Sequence, residues 1–390
     1  MYDSLTFYLY ENQFELKSER FFDGYKTKKI DGKFDVKTRF VNGLRERIHK
    51  EKKYYPSIDL TEPIIGSVAT GKKRVKRLEV QTSFQKSCFG TSKYEIGFED
   101  FDLAIKRNLE YLQMANVITN LETLKTGIIA ELATPKSIIM PPHLGTAVQA
   151  VRKLSIFDHK PRSKFRIRDY ENGSGVSFNF NNGIRGFCGY CKYSEIIASG
   201  YTSEEEKIKN EVLNGQQRKD IFRLEPAFFK KQSLEAVLRR FIPNKKKDFT
   251  LNDIFTNGNI SQKILLEEFD KIFNPLNMAL INMSEMKDNQ LEYILRNKGF
   301  DFDERALLYY MVNIAINFGL NQLWKELKEE MSNSKFYRNR KEVLEIVKKL
   351  DEFKEPTVNL IEFLRGELVK FELIKPEVEK QHCQLLLNNI

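Results

Sequence analysis

The chain is poor in cysteine, histidine and tryptophan and has no long apolar run, and each shortage removes a class of protein. Four cysteines in 390 residues (Cys88, Cys188, Cys191 and Cys383) are too few and too scattered for a disulfide framework, which points to a reducing compartment. Cys188 and Cys191 form a Cys-x-x-Cys, but no second pair accompanies them and only four histidines exist, so no zinc site is expected. No apolar run reaches the ~20 residues of a membrane span. Met1-Tyr2-Asp3 lacks the basic start and apolar core of a signal peptide. The expectation is a soluble, cytoplasmic chain with no membrane partner.

Charge and apolar residues are both plentiful. With 41% hydrophobic and 30% charged residues the chain can bury a core, and its length suggests two domains. The formal net charge of +10 and pI near 9.1 favour a polyanionic partner, nucleic acid first among them.

Periodicity divides the sequence near residue 235. Up to that point short alternating runs read as strands (YDSLTFYLY, KKRVKRLEVQTSF, TGIIAELAT, GVSFNF, IRGFCGYCKY, IFRLEPAFF), with helical spacing only in FEDFDLAIKRNLEYLQMANV and near Ala147–Lys153. Asn181-Asn182-Gly183 is a hairpin signal between two of the strands. Residues 18–53 read as basic loops and short strands, and YTSEEEKIKNEVLNGQQR as a loop or exposed helix. From 236 onward the spacing is helical. The predicted class is α+β: an antiparallel-sheet catalytic domain over 1–235 with helices on one face, followed by a mostly α-helical domain over 236–390 suited to DNA binding or partner docking.

Three strands carry an acid inside an apolar run: Glu79 in RLEVQ, Glu131 in IIAELAT and Glu225 in FRLEPAF. Each could face solvent or pair with a nearby arginine such as Arg77 or Arg223. Convergence on one face would instead suit a hard divalent cation, Mg²⁺ or Mn²⁺. In GFCGYCKYSE, Tyr190 and Lys192 are two apart and share a side of a strand, Tyr193 faces the other, and Glu195 lies beyond the strand end. A tyrosine hydroxyl becomes a useful nucleophile when a cation favours its phenolate. Lys72, Lys73, Arg74, Lys76 and Arg77, with Arg223, are candidate nucleic-acid contacts. Tyr54, Tyr55, Phe84, Phe89 and Tyr94 could stack bases, although core packing suits the phenylalanines better.

The spacing Tyr190-x-Lys192-x-x-Glu195 after a hairpin, with LEVQTSFQKSCFG, IIAELATP, FRLEPAF, LNDIF and SKFYRNRKEV elsewhere, resembles the filamentous-phage gene II/X replication initiators, relatives of plasmid rolling-circle initiators. That resemblance implies an enzyme of a bacterial host cell that nicks one DNA strand at an origin through a 5′-phosphotyrosine and later rejoins it. It implies Tyr190 as nucleophile with Tyr193 as rival, and Lys192 as charge stabiliser or proton handler. It also implies Glu79, Glu131, Glu195 and Glu225 as the pool of ligands for Mg²⁺ or Mn²⁺. Single-stranded or origin DNA, a host helicase and a polymerase would be the partners. The His-hydrophobic-His metal pair of better-known rolling-circle initiators is absent. A non-enzymatic DNA-binding repressor on the same scaffold, and a protein-docking module, are the alternative classes.

Overall fold

A large antiparallel sheet organises the chain. The computed structural model describes residues 4–30, 34–41, 47, 50–65, 73–141, 144–154, 165–169, 174–180, 184–215, 220–273, 288–318, 320–351 and 360–376. Eleven strands form the sheet: β1 (Ser4–Tyr10), β2 (Gly24–Ile30), β3 (Phe34–Phe40), β4 (Ser57–Thr61), β5 (Arg77–Ser83), β6 (Ile128–Ala133), β7 (Lys136–Met140), β8 (Phe165–Asp169), β9 (Gly175–Phe180), β10 (Arg185–Cys191) and β11 (Asp220–Phe228). Their spatial order is β8-β9-β10-β11-β6-β1-β5-β4-β3-β2, with β7 also paired to β11. The helices used below are α1 (Phe84–Phe89), α2 (Phe101–Met114), α3 (Ala147–Leu154), α4 (Lys192–Ser199), α5 (Ser203–Leu213), α6 (Lys231–Phe241), α7 (Leu251–Thr256), α8 (Ile260–Ile272), α9 (Asp288–Asn297), α10 (Phe302–Phe318), α11 (Leu320–Glu330), α12 (Asn333–Asp351) and α13 (Leu360–Lys370). The fold class is α+β.

Alternation gives the sheet two unlike faces. Leu5, Phe7 and Leu9 of β1, Leu78 and Val80 of β5, and Phe222, Leu224 and Phe228 of β11 are buried on the apolar side. Each such side chain contributes about 1.5–3 kcal/mol by leaving water. The opposite side carries Thr6, Tyr8, Glu79, Gln81, Glu225 and Tyr190, as the cross-strand pairs Thr6–Gln81, Tyr8–Glu79 and Tyr190–Arg223 require.

Glu131 joins that polar side because of a bulge. In β6 the pairing with β1 shifts between Thr6–Glu131 and Phe7–Ile129, leaving Ala130 as an extra residue. Without that insertion Ile129 and Glu131 would share a face. With it, Ile129 is buried in the core while Glu131 stands beside Thr6. Pro135 interrupts the strand but not the register: Leu132 faces Phe228 and Lys136 faces Leu224, so β6 and β7 line one edge of β11 in continuous step.

The apolar residues gather into three clusters. The first joins β1, β4 and β5 to α2 and also to Leu234 and Leu238 of α6, Leu251 and Ile254 of α7, and Ile260 and Ile264 of α8. A second combines Phe187, Phe222 and Leu224 with Val151 and Leu154 of α3, the far side of α8, and Leu360, Leu364 and Leu368 of α13. The third lies wholly within α9–α12. The expected boundary after residue 235 therefore does not follow the cores, because α6–α8 and α13 help to build the sheet's own interior. Among the described residues, only those of 288–351 have a separate one.

Local structure also departs from expectation at several points. The strand read through Tyr193 stops at Cys191, and α4 begins at Lys192. KSCFG lies largely in helix α1, capped by Ser83, whereas of the two readings of YTSEEEKIKNEVLNGQQR the helix holds, with 203–213 forming α5 behind a Thr202–Glu205 capping box. The strand read from Lys72 is two pieces: Lys73–Arg74 pairs with Ile64–Ile65, and β5 starts at Arg77. The hairpin turn at Asn181 to Gly183 lies outside the described residues, but β9 and β10 pair as expected.

Candidate active site

Tyr190 stands one residue from the end of β10. Its cross-strand partner is Arg223, and Glu225 is the diagonal neighbour on the same face of β11. The Tyr190 hydroxyl donates to Glu225 Oε2 at 2.8 Å. Arg223 Nε is 3.7 Å from the same oxygen.

Lys192 is the first residue of α4, where a cation runs against the helix dipole and needs a local reason. Glu195, one turn on, supplies it: Lys192 Nζ donates to Glu195 Oε2 at 2.7 Å and to Ser92 Oγ at 2.7 Å. The ammonium lies 5.7 Å from the centre of the Tyr190 ring and is only 1% exposed. Burial pushes the Glu195 carboxyl up, but the Lys192 charge and hydrogen bond, with Lys86 and Arg223 behind them, outweigh this and hold it below its ordinary value.

Arg223 is the largest fully buried side chain of the sheet. It donates to Ser92 O at 2.6 Å and to Gln85 Oε1 at 2.7 Å. One residue, Ser92, thus holds both buried cations, the lysine through its hydroxyl and the arginine through its carbonyl. The loop carrying Ser92 is itself pinned. The Glu95 carboxylate accepts from Ser137 N (2.5 Å), Ile374 N (2.9 Å) and Lys136 Nζ (3.1 Å), a fully buried ion pair that ties the loop to β7 and to the segment after α13.

These groups line an open cleft of about 390 Å³. Tyr190, Lys192, Glu195 and Glu225 line it together with Ser92, Lys86 and Tyr201, and Ser4 of β1, Ser57 of β4 and Gln81 of β5 add to the lining. Burial, with Glu205 and Tyr111 adding to it, raises the Tyr201 hydroxyl, which stays protonated. Lys86 lies 4.9 Å from that ring's centre and pairs with buried Glu205 at 2.9 Å.

The remaining predicted residues lie elsewhere. Tyr193 is 5% exposed and belongs to the second apolar cluster, so of the two tyrosines it is Tyr190 that reaches the cleft. Glu131 accepts from Thr6 Oγ1 at 2.7 Å, and buried Glu79 pairs with Arg77 at 3.0 Å. The register shows why these acids do not meet at one ion. Ala133 faces Ala227, so Glu131 and Glu225 are offset by four residues in opposite directions, about 13 Å along the strands. Among the described residues no three Asp, Glu, His or Cys side chains are grouped to hold a metal. Glu79, Glu131, Glu195 and Glu225 are therefore not one ligand set, and only Glu195 and Glu225 share the cleft.

The described basic candidates are engaged in different ways. Lys76 pairs with Glu19 at 2.7 Å, Arg77 covers the Tyr8 ring and binds Glu79, and Arg74 is exposed. Lys72 lies outside the described residues. Arg223, expected to touch phosphate, is shut off from solvent and acts from beneath the cleft. Ser92, Gln85 and Lys86 had no sequence signal, since an isolated serine, glutamine or lysine acquires meaning only from what folds beside it. The chain matches no family model, no curated protein and no solved structure.

Proposed function

We infer that the chain is a DNA strand transferase that nicks and rejoins one strand through a covalent 5′-phosphotyrosine at Tyr190, in the manner of a rolling-circle replication initiator. The observation that carries this reading is the Tyr190–Glu225 hydrogen bond of 2.8 Å at the wall of an open cleft, backed by two buried cations. Burying Lys192 and Arg223 costs several kcal/mol unless their charge is compensated or used, and such expense concentrates at functional sites.

In the forward step the Tyr190 oxygen attacks phosphorus while Glu225 takes its proton. The P–O3′ bond breaks, the 3′ oxygen leaves and takes a proton from solvent to become a hydroxyl, Glu225 returns its proton to solvent, and a phosphotyrosine diester remains. Rejoining is the same exchange run backwards, so no nucleotide cofactor is consumed. Lys192 and Lys86 stand where negative charge grows on the phosphoryl oxygens, and fixed charges of this kind are commonly the largest catalytic term. Arg223 and Ser92 position Glu225 and Lys192. A binding-only repressor would have no use for this tyrosine–carboxylate pair.

The test is a denaturing gel of purified chain with single-stranded oligonucleotides, with Mg²⁺, Mn²⁺ or a chelator added. A covalent adduct is expected from the parent and from Tyr193→Phe, and none from Tyr190→Phe. A full adduct from Tyr190→Phe overturns the assignment, and the chelator lane reads the cation requirement directly.

A further inference from the structure

The third cluster raises a separate question, because its four helices share no residue with the cleft. Between Asp288 and Asp351 the sequence holds eleven acids and eleven bases, so the unit is neutral as a whole. Its charges are nonetheless sorted. Asp301, Asp303 and Glu304 open α10 and Glu326, Glu329 and Glu330 close α11, whereas Lys335, Arg338, Arg340 and Lys341 follow one another in α12 without an intervening acid.

Helix α12 has a clear inner and outer side. Phe336, Asn339, Val343, Ile346 and Val347 are buried against α9–α11. At the complementary positions Ser334, Tyr337, Arg338 and Lys341 are exposed, Tyr337 by 66%. Lys341 has a loose contact with Glu345 at 3.9 Å, and Arg340 is turned aside over the Trp324 ring, 5.3 Å from its centre. Tyr337 thus stands on the same exposed stripe as Arg338 and Lys341.

Met331 and Ser332 alone join α11 to α12, so α12 follows its partner helix after a tight turn, with Ser334, Tyr337 and Arg338 exposed in its first two turns and Phe336 and Asn339 packed inward. We propose that the exposed side of α12 is a binding surface for duplex DNA, with Arg338 and Lys341 on phosphates and Tyr337 and Ser334 toward the groove. An exposed helical stripe has the width to enter the major groove, and a face rich in cations meets the charge of the duplex. The surface is distinct from the cleft, whose buried cations serve a single phosphate. It gives the chain a hold on double-stranded DNA that does not depend on Tyr190.

The experiment measures binding of a short random-sequence duplex to the full chain as salt is raised. Arg338→Ala/Lys341→Ala should weaken binding about tenfold or more at low salt and lower the slope of log Kd against log salt by about two, one for each lost phosphate contact. Lys325→Ala/Lys328→Ala removes the same charge from exposed positions of α11 and should change little. Equal losses in both variants, or none in either, overturn the proposal, as does competition by polyglutamate that matches unlabelled duplex. Adduct formation on single-stranded oligonucleotides reads the Tyr190 assignment independently of either outcome.

Discussion

The two ends of the polar sheet face carry the same kinds of residue and treat them differently. At the β1–β4–β5 end, each acid has a settled partner: Glu131 with Thr6, Glu79 with Arg77, and Asp59 with Lys26 at 2.6 Å. At the β10–β11 end, Glu225 accepts from a tyrosine hydroxyl that opens onto a cleft, and the cations beside it are buried. A carboxylate on an apolar strand is thus not in itself a functional mark. What distinguishes the second end is a pair able to exchange a proton, held next to space that a substrate can enter.

The sharpest way to break this contrast is at the tyrosine. Tyr190→Phe should reduce adduct formation by about a thousandfold or more, as loss of a nucleophile does, while Tyr193→Phe leaves it in place; the same denaturing gel measures both. Glu225→Gln should slow adduct formation by about 10²–10⁴, the range for a lost general base. Glu131→Gln should leave the rate unchanged and cost about 1 kcal/mol in denaturant unfolding, the worth of one hydrogen bond. If the two glutamines slow the reaction equally, the two ends are not different in kind.

At the settled end the effect is on stability. Glu79→Gln strands Arg77 over the Tyr8 ring and should cost about 3 kcal/mol in unfolding free energy, with no change in adduct rate. The smallest expected effect is that of pH. Because Glu195 has a folded value held below its ordinary 4.5, its contribution is present at neutral pH and is lost as pH falls through that folded value. Glu195→Gln should therefore flatten the acid side of a plot of melting temperature against pH. Parallel curves for parent and variant would remove the Lys192–Glu195 attraction as its cause.

Much of this was legible before folding. Period-two alternation placed β1, β5, β6, β10 and β11, and helical spacing placed α2 and most helices beyond 235, because a strand or helix must turn its apolar residues to one side. The short motif around Tyr190 also brought out three of the residues that meet in the cleft. The fourth, Glu225, stood out as an acid among apolar neighbours. The same signal named Glu131 and Glu79 with equal force, and there it misled. Two residues on different strands converge only if register allows it, and no local pattern announced the register that sets Ala133 opposite Ala227.

The sequence by itself determined the class of fold, the polar and apolar sides of its strands, and the candidacy of Tyr190, since these follow from residue type and spacing within a few positions. Tertiary structure alone decided the rest: that Tyr193 points into a core, that Ser92 links two buried cations, that α6–α8 belong with the sheet, and that the acids do not share one site. Those outcomes turn on contacts such as Ser92 with Arg223, 131 residues apart, where the partner is fixed by how whole strands and helices pack.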